Sequence, residues 1–167
     1  MVLANDFKLA NRERVSVYLH DGCAAFRMVA RYSKNPEFNK TAREKYPDDE
    51  GCIAEAWRNG MSYVANLPDA SKDLKAYQDT LLEKFRIPKK TSRSFNMQSR
   101  CYGATAFDGK SGNRIAVLVI ESTEPSAFTE ERITTILGHP ELAHIMNAIE
   151  IMGSFEPNLA YAKKEGY

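Results

Sequence analysis

An unbroken apolar run late in the chain limits the possible folds more than any other feature of this sequence. Residues 115–120 read IAVLVI, six apolar side chains in succession. Because side chains alternate between the two faces of a strand, such a run favours a central strand that is covered on both faces. The connection DGKSG at 108–112 is rich in residues typical of a hairpin turn, so a strand predicted over 94–107 should pair antiparallel with it.

Three further strands and one helix are predicted from the first part of the chain. RVSVYLH at 14–20 alternates polar and apolar residues, and the β-rich AAFRMVARYS at 24–33 completes a hairpin with it. GCIAEAWRNG at 51–60 carries a helical apolar stripe and ends in a glycine that suits the position after a helix. SYVAN at 62–66 predicts a short strand.

The remaining segments predict one polar connection and three helices. KNPEFNKTAREKYPDDE at 34–50 is expected to form a surface loop or a short helix. Helices are expected after Pro68, from Thr129 as an N-cap and from Pro140 as a first helical residue. The order of strand, strand, helix, strand, helix, strand, strand, helix predicts an α+β domain with an antiparallel sheet, not a doubly wound parallel one.

Composition and length exclude several functional classes. A chain of 167 residues fits one domain, and its formal net charge of +1 gives no broad electrostatic reason to expect nucleic acid or an anionic membrane as a partner. No apolar run approaches the roughly 20 residues of a membrane span, and the N-terminus lacks a signal-peptide core. We therefore expect a soluble cytoplasmic chain without direct membrane insertion.

Neither the cysteines nor the histidines form a pattern typical of a reactive or metal site. Cys23, Cys52 and Cys101 are widely spaced and make no CxxC pair, which favours reduced thiols over disulfides or zinc. The three histidines have no metal-like spacing, and the common nucleophile and phosphate-binding motifs do not occur. The sequence thus predicts no metal site and no catalytic residues, and it leaves the cofactor unknown.

In this order the segments resemble the GAF domain, a ligand-binding sensor module of signalling proteins. RVSVYLHDG followed by FRMVARYS resembles the opening hairpin of that family, and GCIAEAWRNG resembles its short helix with the G-x-x-x-x-[AV]-[WF] pattern. MSYVANLPD is similar to the next strand, and RIAVLVIESTEPSAFTEE is similar to the closing strand and its exit. The resemblance covers about residues 14 to 152.

The resemblance implies a central antiparallel sheet of about six strands with helices on both faces. Segments after the third strand would cover one face and enclose a small-molecule pocket, while terminal helices would cover the other. The implied division is a short helical lead-in at 1–13, a GAF-like domain at 14–153 and a tail at 154–167. Since the opening helix of the family is long, the short lead-in implies a fragment or a start that pairs with a neighbour.

Trp57 and Cys52 allow two interpretations each. Trp57 shares a helical face with Ile53 and Ala56, so it packs in the core or, as the resemblance implies, lines the pocket and stacks on a ligand. Cys52 lies near a helix N-terminus, which can activate a thiol. The acidic residues at 48–50 disfavour a thiolate, and a structural cysteine is therefore expected.

Arg100 and Glu121 are the most informative charges for a ligand site. If the hairpin turns at DGKSG, Arg100 lies opposite Glu121 on the neighbouring strand. The pair is predicted to orient a ligand in the pocket or to form an ordinary cross-strand salt bridge. Ser99, Tyr32 and Tyr102 allow two interpretations as well: they add hydroxyl groups to the same cavity, or they are ordinary sheet residues.

We therefore expect a GAF-type sensor or regulatory domain of a signalling protein, with no catalysis of its own. It would bind a small molecule of unknown identity or mediate dimerisation. Its expected partners are that ligand, a second copy of the chain and an attached signalling output domain.

Two alternatives stay open. The first is a thiol enzyme similar to the free methionine sulfoxide reductases, a GAF branch whose acidic closing position Glu121 resembles. Residues 89–99, which should carry the nucleophile of that branch, hold no cysteine, and Arg100 stands where that branch has a carboxylate. The second is a ligand-free GAF domain that dimerises through an apolar helical stripe. The stripe consists of Leu142, Ile145, Met146, Ile149 and Met152.

Overall fold

The computed structural model describes residues 9–40, 43 and 45–153. The strands are β1 (Glu13–His20), β2 (Ala25–Tyr32), β3 (Lys45–Pro47), β4 (Met61–Val64), β5 (Cys101–Asp108) and β6 (Arg114–Ser122). The helices are α1 (Pro36–Asn39), α2 (Gly51–Asn59), α3 (Leu74–Phe85), α4 (Lys89–Ser92), α5 (Glu130–Leu137) and α6 (Pro140–Gly153). Most of the predicted lead-in and the tail at 154–167 lie outside these residues, so that division stays a prediction.

One antiparallel sheet of six strands, in the order β3-β2-β1-β6-β5-β4, organises the domain. The two predicted hairpins, β1–β2 and β5–β6, are joined by the pairing of β1 with β6. Strand β6 is buried from Ala116 to Ser122 because both of its faces are covered. The prediction of an α+β domain around a central apolar strand is confirmed.

Each face of the sheet carries its own hydrophobic core. The core on one face joins the sheet to α2 and α3, and its members include Val117, Val119, Ile53, Ala56 and Tyr77. The core on the opposite face joins the sheet to α5 and α6, and its members include Leu118, Ile120, Ile133, Leu142 and Met146. Alternation along β6 thus supplies both cores from one run of apolar residues.

Helix ends follow the signals in the sequence. Helix α2 ends where Gly60, with φ +88°, donates its backbone N–H to the carbonyl of Ala56 at 2.7 Å. The side chain of Thr129 accepts from the N–H of Arg132 and caps α5, as predicted. The side chain of Asp73 caps α3 in the same way.

Two strand boundaries differ from the prediction. Strand β5 begins at Cys101, not near residue 94, because residues 89–100 form α4 and an irregular segment that crosses one face of the sheet. Within that segment Met97 and Ser99 are buried instead of alternating along a strand. Residues 45–47 form the short edge strand β3, which the polar composition and prolines of that segment concealed.

The apolar stripe of α6 closes the core of the monomer. Leu142 and Met146 are buried, and Ile145 and Ile149 are partly buried against the same cluster. The side chain of Met152 lies outside the described part of the chain. Dimerisation through this helix therefore stays a prediction. Among the described residues, none of the helices combines the length and the apolar character that crossing a bilayer requires.

Gly103 in β5 gives the packing of α5 a direct test. A Cβ atom built on Gly103 would lie 2.6 Å from Cδ1 and 2.7 Å from Cγ1 and Cγ2 of Ile133. We expect Gly103→Ala to lower the free energy of unfolding by about 1–3 kcal/mol, because overpacking displaces the helix. Urea denaturation of the purified chain measures the change.

The matched control is a double-mutant cycle with Ile133→Ala. Since that substitution removes all three contacting atoms, the double variant should be more stable than the sum of the two single effects predicts. Simple additivity would show that the contact with Ile133 does not set the cost of the alanine.

Candidate functional site

A cavity of about 90 Å³ lies between the sheet and the segments that contain α2, the end of α3 and residues 95–97. One buried water needs only about 15 Å³ on the same measure, so the space suits a small molecule or several waters. Its apolar wall is largely aromatic. The aromatic members are Tyr18, Tyr46, Phe85, Phe95 and Tyr102.

A buried ion pair forms the polar floor of this cavity. Nε and Nη2 of Arg14 each lie 2.7 Å from Oε1 of Glu121. The Oγ of Ser99 donates to the other carboxylate oxygen of Glu121 at 2.6 Å, and Nη1 of Arg14 donates to the carbonyl of Phe38 at 3.2 Å. The network joins β1, β6, the segment before β5 and α1 in one arrangement.

Water is largely excluded from this pair. The exposed fractions of the two side chains are 10% for Arg14 and 6% for Glu121. Burial alone would lower the pKa of the Arg14 guanidinium, but the charge of Glu121 and its hydrogen bond outweigh that effect and raise the pKa. Each side chain depends on the other as a polar partner, because neither is well solvated.

A second arginine, Arg31, is fixed by neutral groups. Its Nε donates to Oγ of Ser16 at 3.0 Å, its Nη2 to the hydroxyl of Tyr18 at 3.2 Å and its Nη1 to the carbonyl of Lys40 at 3.0 Å. Arg31 is half-buried and lines the cavity. These three hydrogen bonds hold its guanidinium in a defined position.

A third arginine, Arg43, lies among aromatic rings in the wall of the cavity. The carbon of its guanidinium is 4.6 Å from the ring centroid of Tyr46 and 5.7 Å from that of Phe95. Its Nη1 is 3.8 Å from Oε2 of Glu50. Burial raises the pKa of the Glu50 carboxyl, and Arg43 only partly offsets this effect.

Neutral hydroxyl and thiol groups complete this region. Burial raises the pKa of Tyr77 to about 12 and that of Tyr102 well above its usual range. Burial, assisted by the charge of Glu121, also raises the pKa of the Cys52 thiol. These groups stay protonated at physiological pH and act as hydrogen-bonding groups, not as charges.

Cys52 is the one cysteine of the three that lines the cavity. Cys101 is buried in the core on the opposite face of the sheet, where its thiol lies 3.9 Å from the carbonyl of Phe128. Cys23 is exposed in the turn between β1 and β2. All three are free cysteines in the structure.

The structure brings together three of the predicted site residues. Glu121 and Tyr102 line the cavity, and Ser99 is hydrogen-bonded to Glu121. Trp57 instead stacks on the ring of His20 with 4.6 Å between centroids and contacts the edge of Phe26. Tyr32 packs against the core on the opposite face. The role of these residues in ligand binding stays a prediction.

The predicted pairing of Arg100 with Glu121 is wrong. Tyr102 is the residue opposite Glu121. The pair next to the turn, Asp108 and Arg114, is already one residue out of the predicted register, and a shift between Phe107 and Asp108 adds a second. Arg100 instead donates to the carbonyl of Leu67 at 3.0 Å. The ion-pair partner of Glu121 is Arg14, from the strand on its other side.

The sequence patterns do not identify the three arginines of the cavity, which are Arg14, Arg31 and Arg43. Arg14, Ser16 and Tyr18 alternate with apolar residues along β1, a pattern that by itself is typical of a half-buried strand with one side facing solvent. Both faces of β1 are covered at this point, so the polar side faces the cavity. The available signal for the cavity was Arg14, a charged residue at the first position of that alternation.

A metal centre finds no support in the described part of the chain. Within those residues no group of three or more histidine, cysteine, aspartate or glutamate side chains could hold a metal ion.

Comparison with known proteins identifies the fold. No family model matches the sequence, and no curated protein sequence matches it. The GAF domain of a two-component sensor histidine kinase from Bacillus halodurans matches with a TM-score of 0.57 and 13% identity, over 91% of this chain and 93% of that one. The GAF domain of a phosphoenolpyruvate-protein phosphotransferase from Acinetobacter matches with a TM-score of 0.54 and 16% identity, over 92% and 80%.

An enzyme has a similar structure. The free methionine-R-sulfoxide reductase of Neisseria meningitidis, solved in complex with its substrate, matches with a TM-score of 0.57 and 20% identity, over 88% of this chain and 70% of that one. The expectation that such a domain has no catalysis of its own is therefore corrected, because enzymes stand among the proteins that share its fold. By its six-stranded antiparallel sheet and by these matches, the chain has the fold of the GAF domain family.

Proposed function

We propose that this chain is a GAF-type regulatory domain that binds a small molecule in the cavity above Arg14 and Glu121. The observation that supports this proposal is an aromatic cavity with a few oriented polar groups at its floor and wall. Ligand pockets combine an apolar lining with a small number of placed polar groups in this way. The GAF domains of signalling proteins among the structural matches support a regulatory role.

The energetics of the floor favour a binding role over a purely structural one. A buried ion pair is often no more stabilising than apolar residues of the same volume, because two charges lose their hydration. The network nevertheless lies beside open space instead of being packed over by side chains. Groups held this way are ready to orient a ligand without further rearrangement.

Regulation would follow from coupling between the cavity and the elements around it. The lining residues come from β1, β2, β3, β5, β6, α2 and α3, so a ligand contacts most of the domain at once. A ligand that binds one arrangement of these elements more tightly shifts the population toward it. That shift would change the contacts of this domain with an attached output domain or with a second copy of the chain.

Ligand binding predicts thermal stabilisation that depends on the cavity. In a melting screen of small acids, amino acids, amides and nucleotides, a ligand at 100 times its Kd should raise the Tm by about 5–10 °C. Val119→Phe, which fills the cavity from β6, should abolish the shift. The matched control Val29→Phe alters a side chain that is 47% exposed and should retain it. Failure of every compound to raise the wild-type Tm would contradict the proposal.

The ion pair predicts a distinctive pattern of stability. Arg14→Met should lower the free energy of unfolding by about 3–5 kcal/mol, because it leaves the Glu121 carboxylate buried without its counter-charge. The double variant Arg14→Met/Glu121→Leu should recover most of that loss in denaturant unfolding. A loss of less than about 1 kcal/mol for Arg14→Met alone would show that the ion pair is exposed to solvent, because exposed pairs contribute no more than this. The buried floor of the cavity would then be contradicted.

A second candidate function is the thiol-dependent reduction of free methionine sulfoxide. The observation that favours it is that Cys52 lines the cavity of a fold shared with such a reductase. The thiol would attack the sulfoxide sulfur, release methionine and become a sulfenic acid, which an added dithiol would reduce with loss of water. The raised pKa of Cys52 opposes this reaction, since the thiolate is the nucleophile.

Turnover measurements separate the two candidates. If Cys52 is catalytic, the wild-type chain should form methionine from free methionine sulfoxide and dithiothreitol at pH 7.5, and Cys52→Ser should not. Thiol titration should show rapid reaction of the exposed Cys23 alone, lost in Cys23→Ser, and reaction of all three cysteines after denaturation. Turnover that survives in Cys23→Ser and disappears in Cys52→Ser would establish the reductase instead.

A further inference from the structure

The charges of the cavity wall are not balanced. Three arginines and two glutamates line it, which leaves a formal excess of one positive charge. Arg14 is neutralised by Glu121, and Arg43 lies 3.8 Å from Glu50. Among the residues that the structure describes, Arg31 has no carboxylate within ion-pair distance, and its hydrogen bonds go to a serine, a tyrosine and a backbone carbonyl.

Hydrogen bonds hold the Arg31 guanidinium in place, but they do not use all of its N–H groups. Its bonds to Ser16, Tyr18 and Lys40 use three of the five N–H groups of a guanidinium. In the described part of the chain, one N–H on each terminal nitrogen remains for another acceptor. A guanidinium with two available N–H groups suits the two oxygens of a carboxylate, and its fixed position lowers the entropy that binding costs.

The rest of the cavity limits what kind of anion can bind. The carboxylates of Glu50 and Glu121 lie in the same wall and would repel a second negative charge. The excess of one positive charge therefore matches a monoanion better than a phosphate dianion. The aromatic rings and the small volume favour a compact apolar body behind the charged group.

We propose that the cavity is a site for a small monocarboxylate with an apolar body, and that Arg31 binds its carboxylate. This inference rests on the proposed ligand-binding function and specifies the chemical class of the ligand. The carboxylate would replace solvent at the two free N–H groups of Arg31, and the apolar body would contact rings such as Tyr46 and Tyr102. Simple carboxylic acids are monoanions of this kind, while apolar amino acids present the same carboxylate together with an ammonium group.

Calorimetric titration of the purified full chain with matched acid and amide pairs tests the proposal. The probes are benzoate with benzamide, 4-methylpentanoate with its amide, and L-leucine with L-leucinamide. Charge-assisted hydrogen bonds to Arg31 should make at least one acid bind about 10- to 100-fold more tightly than its amide. The pair that shows the difference distinguishes a simple acid from an amino acid.

Variants assign the difference to Arg31. Arg31→Gln should remove the preference for the acid and leave the affinity for the amide unchanged. Arg27→Gln, which alters an exposed arginine of the same strand, should retain the preference. Tyr18→Phe removes one hydrogen bond that positions Arg31 and should weaken acid binding by a smaller factor, which supplies a second readout if Arg31→Gln does not fold.

The outcomes separate this inference from the proposed function. Equal affinity for acid and amide, or an acid preference that persists in Arg31→Gln, overturns the carboxylate site. The carboxylate site is also overturned if none of the six probes binds while another compound stabilises the wild type but not Val119→Phe. In that case the proposed ligand-binding function stands. If no compound of any class stabilises the wild-type chain, both proposals fail.

Discussion

The contact between Arg14 and Glu121 is the interaction on which the site depends. It joins β1 and β6, the two central strands of the sheet, while Ser99 and the carbonyl of Phe38 extend it to the segment before β5 and to α1. Neither charge would be tolerated alone at this depth, because desolvation of an unpaired ion costs far more than a hydrogen bond returns. The pair therefore fixes the relative positions of the elements that surround the cavity.

The pairing of Arg14 with Glu121 decides how the other charges of the cavity are balanced. Since Glu121 is already neutralised by Arg14, it does not compensate Arg31, which is held by neutral acceptors and keeps its positive charge available. Raised pKa values leave Cys52 and Tyr102 uncharged beside them. The result is a small, partly aromatic cavity with one cation that no carboxylate of the described residues compensates.

A shared fold does not decide between sensing and catalysis. Proteins named as sensor components and as a methionine sulfoxide reductase have structures similar to this one. A fold positions side chains, and the chemistry depends on which side chains reach the cavity. Here Cys52 reaches it as a protonated thiol, while Cys101 lies on the opposite face of the sheet, so the arginines are the more prominent chemical feature.

The sequence by itself determined the two hairpins and most of the helices, but not β3, α4 or the start of β5. The run at 115–120 can be buried only as a central strand, and local signals such as Thr129 and Gly60 set helix ends within one or two residues. The site depended on contacts distant in sequence. The register between β5 and β6 placed Tyr102, not Arg100, opposite Glu121, and the pairing of β1 with β6 brought Arg14 to Glu121. Because strand register and burial are set by the whole sheet, only the tertiary structure decided which charges meet.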